Sequence, residues 1–282
     1  MKNADLSERD VRQRKRLGLG IMDELYQQSF DVFQRFAAVS QILEELGYLR
    51  GEHGILDVGG YPGTLGEMLK KKNALLNMAI LDRPEIVREG YISGRAEALP
   101  FTDDAFDAVL CCDVLEHIPP GNRVRALEEM LRVCRGHLVI AAPFHSRIVN
   151  EAERRINELH QICSGSPNAW LKEHQDHGLP SLEEVKALLE KAGCSTAVYC
   201  NGQATTWFTM CSLQALMDLV FMAGRHKPDL SRQFNMLWAK TDDREPAYRH
   251  VVVADRRGRP ISCSLGTGEA CSPEEEENEI RK

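Results

Sequence analysis

Two short stretches of this chain hold residue types that could do chemistry. In GILDVGGYPGTLGEML (54–69) an apolar run ends at Asp57 and Val58, and Gly59, Gly60 and Gly63 follow before a helical pattern begins. Glycines at a strand-to-helix turn permit positive φ and close backbone approach, and the first turn of the next helix offers free N–H groups to a ligand. Nineteen residues beyond Gly63, Asp82 closes the next apolar run, where a carboxylate can accept both hydroxyls of a ribose. The bland readings are a tight turn and a strand-ending cap. The second stretch, KEHQDHGLP (172–180), concentrates Glu173, His174, Asp176 and His177. If it is helical, the two histidines lie one turn apart on one face. They could then be a base with its orienting acid or two ligands of a divalent ion, or the stretch could be a solvated polar loop. With no third ligand specified and no cysteine nearby, no metal site is assigned. His117 in VLEHIPP and His145 after AAPF complete the candidate bases.

Elements that could position these groups are legible in the rhythm of the chain. Phe30, Val32, Phe33, Phe36, Val39, Ile42, Leu43 and Leu46 recur at helical spacing, which predicts an amphipathic helix ending at Gly47. Short β-rich runs then alternate with helical ones: GILDVG, LLNMAILD, YISGRA, FDAVLCCDV and HLVIAAP, with helices near 62–72, after Pro84 and near 121–134. Such alternation predicts a parallel sheet covered on both faces. Polar residues 146–180 read as an insertion beside the site. Ser181, Glu184 and Gly193 mark the start and stop of another helix. STAVYC and YRHVVVADR supply the last strands, with mostly helical sequence inserted at 203–240. In that insertion Trp207, Phe208 and Met210 could be core or could line an acceptor cavity.

Composition narrows the classes. The 282 residues are 43% hydrophobic, enough for one large domain with a sizeable core. More than half of the net charge of −7 sits in 268–282, where six Glu face Arg281 and Lys282. The rest has no basic field to attract a nucleic-acid backbone. Nine scattered cysteines without C-x-x-C pairs suit reduced thiols in a cytoplasmic protein. The opening MKNADLSERDVRQRKR has no apolar run, so no signal peptide is expected. Gln214 and Asp218 interrupt the apolar stretch 207–224, which leaves peripheral membrane contact open but disfavours a spanning helix.

GRAEALPFTDDAFDAVLCCDVLEHIPP (94–120), together with DVGGYPG and the LD at 81–82, resembles class I S-adenosylmethionine-dependent methyltransferases of the type 11 group. The resemblance covers about 54–144. It implies a Rossmann-like seven-stranded α/β sheet with helices on both faces. This domain would span 51–256, with an arm and helix in 1–50, insertions at 146–180 and 203–240, and a disordered acidic tail at 257–282. S-Adenosylmethionine would be the cofactor. By the family's pattern Asp57, Gly59, Gly60 and Gly63 would shape the pocket of its methionine part, Asp82 would hold the ribose, Ala96 and Glu97 would border the adenine, and Asp113 would lie near the sulfonium. Two positions depart from the pattern: Tyr61 stands where a middle glycine is usual, and Arg95 where many members have an acid. EH…GLP followed by a helix also looks like methyltransferases that act on glycans. The expected reaction is methyl transfer to a small-molecule acceptor, a hydroxyl of a sugar or glycolipid. The alternatives are an inactive methyltransferase-like scaffold and a nicotinamide-dependent oxidoreductase.

Overall fold

The computed structural model describes residues 25–83, 91–220, 230–237, 239 and 242–263, and the structural statements below concern these. The arm, the helix expected after Pro84 and most of the acidic tail lie outside them. The apolar runs become strands β1 (Gly54–Val58), β2 (Asn77–Asp82), β3 (Tyr91–Ser93), β4 (Phe106–Cys112) and β5 (Cys134–Ala142). Helix α1 (Phe30–Glu45) precedes them, α2 (Thr64–Lys72) follows β1, and α3 (Pro120–Val133) joins β4 to β5. The expected insertion 146–180 is two helices, α4 (Arg147–Ser164) and α5 (Ala169–His177). Helix α6 (Leu182–Lys191) starts on the Ser181 Oγ, which accepts from the Glu184 N–H, and stops at Gly193 with φ +85°. The chain ends in β6 (Ser195–Gln203), α7 (Ala204–Val220), α8 (Leu230–Leu237) and β7 (Ala247–Asp255).

All seven strands form one sheet in the order β3-β2-β1-β4-β5-β7-β6. Leu56 pairs with Ala79 of β2 on one side and with Val109 of β4 on the other, both in parallel register. Strand order therefore reverses at β1/β4, and the carboxyl ends of these strands frame the crevice where open α/β sheets bind ligands. The all-parallel expectation fails at one strand. β7 runs antiparallel between β5 and β6, because the chain leaves β6 at Gln203 and re-enters the sheet at Ala247 beside it, at the same end. β7 is buried almost throughout, so its apolar run reads like those of its parallel neighbours.

Burial follows the layers. Val109, Leu138 and Ile140 face α3 and α6, whereas Leu110, Val139 and Val251 face Val39, Ile42 and Leu43 of α1. A third cluster joins Phe30 and Phe33 to Val149, Ile156, Trp207 and Phe234. It ties α1, α4, α7 and α8 into a cap. Phe208 and Met210 pack against this cluster, while Trp207 is buried in it and stacks on Tyr248 at 4.0 Å. No described helix is long and apolar enough to cross a membrane. Seven of the described cysteines are free thiols, and Cys200 departs from the reduced pattern because it is disulfide-bonded.

Candidate active site

The turn after β1 is built for close approach. Gly59 has φ +73°, and a Cβ there would stand 2.2 Å from Val114 Cγ2. At Gly60 a Cβ would stand 2.3 Å from Asp57 Oδ2. The first glycine lets the chain turn under the β4 loop, and the second lets it fold back over the Asp57 carboxylate. Gly59→Ala is therefore expected to cost about 1–2 kcal/mol from the left-handed backbone alone, with the Val114 clash added. Chemical denaturation would check this, and an unchanged midpoint would contradict the strained turn. Tyr61, at the unusual position, does not fill the turn. Its ring is about half exposed, edge-on to Tyr91, and its N–H donates to Asp82 Oδ2 at 3.2 Å.

A cavity of about 710 Å³ opens at the carboxyl ends of β1, β2 and β4 and runs under α5 and α7. Of the residues singled out by sequence, Gly59, Asp82, Ala96, Glu97, Asp113, His117 and His174 line it. Asp57, Gly59 and Gly60 line a smaller adjoining cavity of about 270 Å³. Gly63 lies behind Tyr91, with Tyr91 Oη 2.2 Å from where its Cβ would be. Neither His145 nor His177 lines either cavity. His145 is exposed after β5 and meets Asn150, and His177 is half-buried at the end of α5.

Charges in the cavity are tightly arranged. Asp82 accepts N–H bonds from Tyr61 and Arg83, leaving carboxylate lone pairs toward the cavity. Glu97 is held by Asn122 and by Arg95 at 3.0 Å each, so Arg95 serves as its counter-ion. Asp113 adopts φ +51°, uncommon for a non-glycine residue and a frequent mark of a functional loop. Its carboxylate receives Arg249 bidentately, Nε and Nη2 both at 2.6 Å, and is also paired with Arg35. Arg249 Nη2 reaches Asp31 at 3.0 Å. Burial alone would push the Asp113 carboxyl up, but Arg249 and Arg35 together hold it down at about 2. Asp57 has no such clamp. Burial pushes it up to about 7, with Arg35 opposing and Asp82 adding to the rise.

On the cap side, His117 and His174 meet. Their Nε2 atoms are 3.3 Å apart. His117 Nδ1 lies 2.9 Å from Glu173 Oε2, and His174 Nδ1 lies 3.1 Å from Glu153 Oε1, which also accepts from Tyr248 Oη at 2.9 Å. The expected pairing of His174 with His177 thus gives way to His174 with His117, and each ring has its own carboxylate. Beside them Glu116 is 1% exposed, and its Oε2 has no hydrogen-bond partner. Burial and the nearby Asp113 push Glu116 well above the carboxylate range, and burial followed by His174 pulls His117 down. Sequence reasoning missed Arg35, Arg249, Glu153 and Tyr248. Only Arg249, a charge close to the apolar run VVVA of β7, could have been noticed.

Comparison with known proteins agrees with this geometry. A family described as a methyltransferase domain matches residues 67–140. The chain is 33% identical over 129 residues to a demethylmenaquinone methyltransferase of Beutenbergia cavernae, covering 42% of this chain and 52% of that one. A protein of the same name from Renibacterium salmoninarum is 30% identical over 151 residues, with 46% and 60% covered. The chain thus spans just over half the length of these relatives. Among solved structures, a candidate sarcosine dimethylglycine methyltransferase from Galdieria sulphuraria aligns with a TM-score of 0.55 at 13% identity, over 81% of this chain and 88% of that one, a likeness of fold. The strand order, the glycine turn and the domain match converge: the chain has the class I methyltransferase fold, and its residues 67–140 match a methyltransferase domain.

Proposed function

We propose that the chain transfers the methyl group of S-adenosylmethionine to a hydroxyl of a small molecule, of the sugar or glycolipid class, held beneath the cap. One observation carries the reading. A strand-tip carboxylate with spare lone pairs, Asp82, shares a cavity with two imidazoles that are each backed by a carboxylate. The residues fit the cofactor group by group. Asp82 would take the ribose hydroxyls, and Ala96 and Glu97 would border the adenine. Asp57 lies beside Gly60 to meet an ammonium. Arg35 Nε, buried and unpartnered, can donate to the carboxylate of the methionine part. Asp113 then acts as a positioning residue, holding Arg35 and Arg249 in place.

S-Adenosylmethionine, when bound, would supply an electrophilic methyl carbon and a sulfur leaving group. The chain's own task is alignment and exclusion of water. The hydroxyl proton goes to the His117–His174 pair, whose Glu173 and Glu153 partners would stabilise the imidazolium that results. Trp207, Trp170 and Leu171 give the acceptor an apolar and aromatic wall. His145 and His177 have no part in this scheme.

Asp57 makes the binding step pH-dependent. Its folded-state carboxyl sits at about 7, above the usual value of about 3.9. The folded protein therefore holds this proton until the pH rises through about 7, and an incoming ammonium favours the ionised form. Affinity for S-adenosylhomocysteine is expected to rise about tenfold between pH 6 and pH 8, and Asp57→Asn should flatten that slope. An equal slope in the variant would remove Asp57 from the site. The acceptor assignment is tested by incubating the protein with methyl-labelled S-adenosylmethionine and a panel of free sugars, glycolipids and demethylmenaquinone. Label on a sugar or glycolipid oxygen supports the reading, whereas label on demethylmenaquinone alone overturns the acceptor class.

A further inference from the structure

We infer that Glu116, His117 and His174 form a binding site for one divalent cation, Zn²⁺ by ligand type, on the acceptor wall of the cavity. Glu173 and Glu153 each accept from an Nδ1–H, at 2.9 and 3.1 Å, which leaves both Nε2 atoms as lone-pair donors. Those two lone pairs face each other at 3.3 Å. The third group is the Glu116 carboxylate, 1% exposed with Oε2 unpartnered. One atom from each of the three residues falls within a span of 4.8 Å. Two imidazole nitrogens and the Glu116 carboxyl thus stand together on one wall of the cavity, a set of ligand groups that a cation would satisfy.

The spacing suits a metal. With Zn–N bonds of about 2.0–2.1 Å, two tetrahedral imidazole nitrogens lie about 3.3–3.4 Å apart, which is the separation seen. Carboxylates on the far nitrogens are the partners that orient metal-bound histidines. Two imidazoles and one carboxylate match zinc's preferences and leave a fourth position, and all three residues line the large cavity, so that position opens toward it. The catalytic consequence rests on the methyltransfer reading. An acceptor hydroxyl in the fourth position would ionise more readily on the cation, with its proton passing to solvent, and the imidazoles would act as ligands in place of a base.

The test uses the full chain, stripped with a chelator, and measures Zn²⁺ by calorimetry and Co²⁺ by visible absorption. One Zn²⁺ per chain with micromolar or tighter affinity is expected, together with the ligand-field bands of a four-coordinate Co²⁺. Glu116→Gln, which keeps shape, and His174→Ala should each weaken Zn²⁺ by about 100-fold or more. His250→Ala is the control at the other grouping of metal-ligating types, Cys200, Glu245 and His250, and should change nothing. The inference is overturned by absent stoichiometric binding, by Co²⁺ without four-coordinate bands, or by affinity unmoved in Glu116→Gln and His174→Ala. S-Adenosylhomocysteine titrated into the same samples separates the two proposals. Its binding without Zn²⁺ sinks the metal site alone, and Zn²⁺ binding without it sinks the methyltransfer reading alone.

Discussion

Asp82→Ala is expected to weaken S-adenosylhomocysteine binding by about 100-fold. The carboxylate closes β2 at the mouth of the cavity, fixed by the backbone N–H groups of Tyr61 and Arg83. That leaves two oxygens with spare lone pairs for two ribose hydroxyls. Hydrogen bonds to a charged group contribute about 1.5–3 kcal/mol each, so losing both costs about 3 kcal/mol or more, equivalent to about two decades in affinity. The fold should tolerate the change, because the two freed N–H groups are exposed to water. Asp82→Asn, which keeps one carbonyl oxygen, should fall between wild type and Asp82→Ala. Calorimetry on the three proteins checks the order, and affinities within threefold of one another would place the ribose elsewhere.

The largest effect on stability is expected from Arg249→Met. Arg249 is 1% exposed, bidentate to Asp113 and also paired with Asp31. Its removal leaves two carboxylates facing Arg35 alone in a buried setting, and breaking such a network from one side costs about 3–5 kcal/mol. Combining Arg249→Met with Asp113→Asn should recover part of that loss, since the stranded charge goes with it. The pH dependence has a definite sign. Asp113 is held down at about 2 in the fold, below its unfolded value of about 3.9. Its stabilising contribution is therefore full above about pH 4 and is lost as the pH falls through about 2. The gap between wild type and Arg249→Met should be widest near neutrality and narrow toward pH 2 in urea titrations. A gap independent of pH would mean that the loss is one of packing, not of charge.

The parts of this protein that could be read in its sequence are those encoded locally. The strand runs, the helix at 30–46, the Ser181 cap and the Gly193 stop each depend on residues a few positions apart, and each stands where the pattern puts it. The glycine turn and Asp82 were readable because one strand and one helix fix their spacing. Strand direction was not, and β7 is reversed because of what the 203–240 insertion does in three dimensions. The partners of the histidines were hidden for the same reason. Glu173 lies next to His174 in sequence but serves His117, 56 residues away, whereas His174 uses Glu153 from the neighbouring helix. Arg35 and Asp113 are 78 residues apart, and Arg249 and Asp113 are 136 apart. Only the folded sheet brings these charges to one strand tip. The resemblance to methyltransferases supplied the cofactor, and it could not supply these pairings.

The central claim is that the cavity at the carboxyl edge holds the cofactor of a methyltransferase. Titrating the full chain with S-adenosylhomocysteine by calorimetry, with NAD in parallel, tests it most directly. The account predicts one site per chain with micromolar affinity for S-adenosylhomocysteine and no measurable heat with NAD. A folded protein that binds NAD in its place, or that binds neither, would contradict it.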